Sequence, residues 1–77
     1  MEARLRQIMA NVFNLPTNEI NDDTSPENTE QWDSIAHLNL VTSIEEEFEI
    51  VFSEDQISEM LNFKLIILII KEVTNQN

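Results

Sequence analysis

Between Glu2 and Asn14 the apolar side chains stand at Leu5, Ile8, Met9, Val12 and Phe13, the i, i+3, i+4, i+7, i+8 series of one helical face. The spacing predicts a first helix over 2–14. Leu15 and Pro16 should end it, because proline has no amide donor and pushes the residue before it out of the helical region. The pattern then lapses: residues 16–33 are rich in Asn, Asp, Thr, Ser and Pro, with Ile20 and Trp32 as the large apolar residues. A connector of this length in a compact domain is functional or disordered, and Ile20 and Trp32 are placed to anchor it on a helical core.

Apolar residues return at Ile35, Leu38, Val41, Ile44 and Phe48, in steps of three, three, three and four. They predict a second amphipathic helix that opens at Ser34 and runs about four turns. Ser34, at the junction of polar connector and helix, reads as an N-cap whose oxygen satisfies an orphan amide. Glu45, Glu46, Glu47 and Glu49 crowd the other end, where the helix dipole favours cations and Glu45 and Glu49 repel as an i, i+4 pair. Such a local conflict points to a binding surface. Ser53 and Gln56 have the spacing of a capping box ahead of Ile57, Met60 and Leu61, which predicts a short third helix. Phe63 to Val73 is apolar at nearly every position. With no alternating partner strand elsewhere, this segment is expected as a buried fourth helix, with a fraying tail beyond Val73. The expected fold is all-α, four helices in one domain over 1–77.

Composition narrows the function. The chain has 77 residues, 15 Asp plus Glu against 4 Lys plus Arg, and a formal charge of −11. A chain this short leaves little room for a walled substrate pocket, which argues against a self-sufficient enzyme. Without cysteine there is no disulfide framework and no thiolate metal site, and His37 is the lone imidazole. No metal is expected. The acidity repels phosphate backbones, so nucleic acid is not an expected partner, whereas basic protein surfaces are. The longest apolar run, Leu65 to Ile70, is too short to span a bilayer, and the N-terminus lacks a signal-peptide pattern; a cytoplasmic monomer is the expectation.

Charge is also unevenly placed. From Glu19 to Glu59 there are carboxylates and no Lys or Arg; the bases are Arg4, Arg6, Lys64 and Lys71. One reading is a solvated surface that keeps a small protein soluble; the other is an electrostatic docking face for fast, weak complexes. Asn21-Asp22-Asp23 lacks the glycine and spacing of a calcium loop and is read as solvated carboxylates.

The stretch Trp32-Asp33-Ser34-Ile35-Ala36-His37-Leu38 resembles the phosphopantetheine attachment motif of acyl carrier proteins, in which the modified serine follows Asp and precedes Leu. The likeness extends over essentially the whole chain: first helix, long loop, Asp-Ser opening an acidic second helix, Glu45-Glu46-Glu47-Phe48-Glu49-Ile50, then Phe52-Ser53-Glu54-Asp55-Gln56-Ile57 and a final apolar helix. It implies that Ser34 receives 4′-phosphopantetheine from coenzyme A through a separate phosphopantetheinyl transferase. The arm's thiol would then hold an acyl group as a thioester, for fatty-acid or specialised lipid or polyketide-type synthesis. A phosphodiester at a helix N-terminus is electrostatically favoured. Partners would be acyl-transferring, condensing or ligase enzymes with basic patches. The resemblance, with the charge map, points to recognition through Asp33, Ile35, His37, Leu38, Val41, Glu45, Glu46, Glu54 and Asp55. It also implies an acyl cleft, for which Leu38, Val41, Ile44, Ile57, Met60 and Leu65 are the candidates.

The chain departs from the family at three places. Ile35 replaces the usual Leu. Ala36, His37 and Asn39 stand where fatty-acid carriers commonly place acids, which favours a specialised pathway. Glu49 stands where the family often has glycine, so the helix must end there in a left-handed residue or otherwise. Asp33, Ser34 and His37 superficially suggest a hydrolytic triad. Their spacing, one turn apart on one helix without a nucleophile turn, argues against it; His37 is expected at the surface, at a partner contact. Two alternatives stay open: an acidic docking subunit that carries nothing covalently, and a peptidyl or aminoacyl carrier.

Overall fold

The computed structural model describes residues 1–74. In chain order it comprises α1 (Glu2–Phe13), a 3-10 turn (Thr17–Glu19), α2 (Ser34–Phe48), α3 (Glu54–Ser58) and α4 (Phe63–Thr74). Among the described residues there is no strand, so the fold is the expected all-α, four-helix one. Among the described residues no helix is long and apolar enough to cross a membrane. Of the tail expected to fray, Thr74 is still helical and 75–77 lie outside the described residues.

α1 buries Leu5, Met9, Ala10 and Phe13, while Ile8 and Val12 pack at the margin of the core. The helix ends one residue earlier than the pattern predicts. Asn14 adopts a left-handed conformation (φ 58°, ψ 47°), and the Asn14 and Leu15 amides both donate back to the Ala10 carbonyl. Asparagine tolerates this region better than most residues. Pro16 then sets the extended entry to the 3-10 turn.

In α2 the buried residues are Leu40, Val41 and Ile44, whereas Ile35 and Leu38 are 73% and 61% exposed. The expected inner face, Ile35-Leu38-Val41-Ile44-Phe48, is therefore corrected at its first two members. A series of i+3 steps falls behind a helix of 3.6 residues per turn by about 60° each time, so three such steps carry the stripe to the opposite side. The true inner stripe is His37, Leu40, Val41, Ile44 and Phe48, at steps of three and four, with a histidine where the pattern search sees no apolar residue.

α2 ends as α1 does. Glu49 is left-handed (φ 57°, ψ 49°), its amide donates to the Glu45 carbonyl, and Ile50 donates to the same oxygen at 3.1 Å. The helix thus keeps a Schellman-like ending without glycine, with the strain of a β-carbon at that position. Glu45 also accepts the Phe52 amide on Oε2 at 2.9 Å, tying the segment after α2 back to its last turn. Glu47 pairs with Arg4, whose guanidinium lies over the Phe48 ring at 5.1 Å. The crowding that suggested a binding surface therefore gives Glu45 and Glu47 structural bonds, and Glu46 remains exposed.

The connector is ordered and forms one wall of the core. Ile20 and Trp32 are buried in it as anchors, and Thr24, Ser25 and Thr29 are buried polar residues that the sequence did not single out. Their polar groups are matched locally: Thr24 Oγ1 accepts the Asn21 amide, and Asn28 Oδ1 accepts both the Ser25 amide and the Thr29 hydroxyl, each at 2.9 Å. The connector also completes α4, since the Thr24 carbonyl accepts the Phe63 amide at 3.0 Å, while Asn62 Oδ1, just ahead of the helix, accepts the Leu65 amide at 2.8 Å. Arg6 holds the near end, donating from Nε to the Ile20 carbonyl at 3.1 Å while its guanidinium covers Phe63.

α3 is short and held by the expected capping box: Ser53 Oγ accepts the Gln56 amide, and Gln56 Oε1 accepts the Ser53 amide. α4 buries Phe63, Ile66, Ile67, Ile69 and Ile70 against α1 and α2 residues in one cluster. It is not buried all round, because Leu68 faces outward and Leu65 is half-buried.

Candidate functional site

The start of α2 differs from its sequence reading by one residue. Asp33, extended at φ −98°, is the N-cap, and its Oδ1 accepts the Ala36 amide at 2.8 Å. Ser34 is the first helical residue and is exposed. Ser34 as the cap is thus corrected: the aspartate beside it already fills that role, and among the described residues none bonds the Ser34 Oγ. The hydroxyl projects from the N-terminus of a fifteen-residue helix. The Ser34 and Ile35 amides lie in the first turn, where helix geometry supplies no acceptor.

Beside Ser34 opens a cleft of about 570 Å³ between the connector, α2 and α3. Pro26 and Trp32 line it from the connector, Asp33, Ser34, His37 and Leu38 from α2, and Ile57, Ser58, Met60 and Leu61 from α3 and the turn after it. Of the residues expected in an acyl cleft, Leu38, Ile57 and Met60 are in this wall. Val41 and Ile44 are not. They point into the closed core at 5% and 0% exposure because the stripe drifts around the helix, and for the same reason Val41 is not available to a partner. Leu65 opens instead onto a separate groove with Leu61, Leu68 and Ile69.

His37 is the largest departure from the sequence reading. It is half-buried, and both ring nitrogens are engaged within the protein. The Trp32 Nε1–H donates to Nδ1 at 3.0 Å, and Nε2 meets the Ile57 carbonyl at 3.0 Å. An indole nitrogen can only donate and a carbonyl can only accept, so the ring is the neutral tautomer with its proton on Nε2. The two rings also stack, with centroids 6.0 Å apart and planes 19° from parallel. His37 is therefore an internal bridge and not a surface contact, and neither nitrogen is left to activate Ser34. The signal in the sequence was the i, i+3, i+4, i+7 relation of His37 to Leu40, Val41 and Ile44.

Of the other proposed recognition residues, Asp33, Ile35, Leu38, Glu46, Glu54 and Asp55 are exposed, whereas Val41 is buried and Glu45 is half-buried with its Oε2 on the Phe52 amide. Ile35 and Leu38 flank Ser34 as exposed apolar side chains. Glu54 and Asp55 stand exposed in the first turn of α3, where they also complement the helix dipole. Among the described residues no group of acidic or imidazole side chains is arranged to hold a metal ion.

A family model described as a phosphopantetheine attachment site matches residues 3–63, which takes in α1, the connector, α2 and α3. No curated protein matches the chain. The residues present suit the group that such a site holds: an exposed primary hydroxyl, two first-turn amides and the positive end of a long helix for a phosphodiester, and an apolar cleft alongside.

Proposed function

Because the chain belongs to the phosphopantetheine attachment-site family, whose members hold 4′-phosphopantetheine covalently, we propose that it is a discrete acyl carrier with the arm on Ser34. When bound, the arm supplies a terminal thiol that carries an acyl group as a thioester. The observation that carries the reading is the exposed, unbonded Ser34 hydroxyl at the first position of α2, on the lip of the cleft. Asp33 fixes the helix start, the first-turn amides of Ser34 and Ile35 would hold the phosphate, and catalysis belongs to the partner enzymes.

The acidic surface supports docking of a phosphopantetheinyl transferase and of acyl-transferring, condensing or ligase enzymes that present basic patches. Ile35 and Leu38, exposed beside Ser34, supply the apolar centre of that contact, and Glu46, Glu54 and Asp55 supply charge around it. The wall formed by Leu38, Ile57 and Met60 suits an apolar acyl group. Ala36, His37 and Asn39 in the first turns of α2 support a specialised pathway over primary fatty-acid synthesis.

The test is intact mass after incubation of the apo chain with coenzyme A, magnesium and a broad-specificity phosphopantetheinyl transferase, with Ser34→Ala as control. One added arm on the parent chain and none on Ser34→Ala is expected. No addition by several transferases would leave an acidic docking subunit as the better reading.

A further inference from the structure

We infer that His37 is the positioning residue that latches the connector and α3 together across the Ser34 cleft, and that the neutral imidazole is the closed state of this latch. The use of the cleft by a carried group rests on the carrier reading above; the latch itself does not.

Three elements meet at this one side chain. His37 is rooted on α2 one turn beyond Ser34, takes the indole N–H of Trp32 from the connector, and reaches the Ile57 carbonyl at the end of α3. α3 has five residues, too few to hold its place by helix propensity, so its position depends on tertiary contacts. The Ile57 carbonyl accepts the Met60 amide at 3.3 Å and the Glu59 amide at the end of α3, and it meets His37 Nε2 at 3.0 Å. Trp32, His37 and Ile57 all line the cleft, so the bond that fastens α3 also sets the width of the opening next to Ser34.

The bridge depends on one acceptor. A proton on Nδ1 turns that acceptor into a donor facing the Trp32 N–H, and the connector side of the latch is lost. Of the side chains lining the cleft from the connector, α2 and α3, Asp33 is the other ionisable one, and its Oδ1 is held by the Ala36 amide. α3 contributes Ile57 and Ser58 there, while its acids Glu54 and Asp55, and Glu59 after it, are exposed.

Trp32 is the single tryptophan, which makes the latch directly readable. Quenching of its emission by acrylamide, a neutral quencher, is measured on the apo chain from roughly pH 8 to roughly pH 5, the range in which imidazoles change charge. Far-ultraviolet circular dichroism confirms at each pH that the helices persist. His37→Gln retains a planar group with one acceptor and one donor and does not titrate; His37→Phe retains bulk without either.

The parent chain should show a severalfold rise in quenching as pH falls. His37→Gln should stay low throughout, and His37→Phe should be high throughout. Equal quenching of the parent and His37→Phe at the upper pH, or the same pH response in His37→Gln, would overturn the latch. Because no arm is needed, failure here is separate from failure of Ser34 to accept an arm.

Discussion

The carboxylate Oδ1 of Asp33 accepts the amide of Ala36 at 2.8 Å, which places the N-cap of α2 one residue ahead of the serine that the family motif marks. The stability roles of the two neighbours should therefore separate. Asp33→Ala should cost about 1 kcal/mol through the lost cap. Ser34→Ala, at an exposed first-turn position, should change stability by less than about 0.5 kcal/mol. Urea denaturation of both variants checks the split; a larger loss in Ser34→Ala would return the capping role to the serine.

Glu49 holds φ 57° with a β-carbon present. Glu49→Gly should raise stability by roughly 1 kcal/mol, the left-handed strain relieved less the entropy that glycine adds to the unfolded chain. The same change at Asn14 should gain less, because asparagine already tolerates the region. Thermal melts of the two variants at one protein concentration give the comparison, and destabilisation by Glu49→Gly would contradict it.

Glu45 divides structure from docking. Its Oε2 receives the half-buried Phe52 amide, so Glu45→Ala should leave that donor without its acceptor and cost about 1 to 3 kcal/mol. Glu45→Gln keeps an acceptor oxygen and should lose less. Glu46→Gln, on an exposed side chain, should leave the melting midpoint nearly unchanged while weakening association with a basic partner in a salt-dependent way.

The exposed and buried members of α2 give a further contrast. Ile44→Ala empties a fully buried position and should cost about 2 to 5 kcal/mol. Leu38→Ala and Ile35→Ala remove side chains that already face solvent, and should change stability little while lowering transferase kcat/KM. Denaturation and loading kinetics on the same samples separate the two effects.

These contrasts also mark what the sequence carries and what it leaves to the tertiary structure. Helical periodicity locates α1, and the Ser53 and Gln56 pair locates α3, because both signals are local. The steps of three in α2 mislead, since residues three apart are neighbours on a helix but a run of them is not a face. The inner position at His37 is invisible to a search for apolar residues. Its partners, Trp32 and Ile57, come together only when the connector and α3 fold against α2. Likewise, the buried Thr24, Ser25 and Thr29 look like ordinary loop residues until the connector closes over the N-terminus of α4.

The central claim is that Ser34 itself receives the arm, and the most direct test is fragmentation mass spectrometry of peptides from the transferase-loaded chain. The account predicts a single arm localised to Ser34, with Ser25, Ser43, Ser53 and Ser58 unmodified. An arm found on any of those serines, or on none, would contradict it.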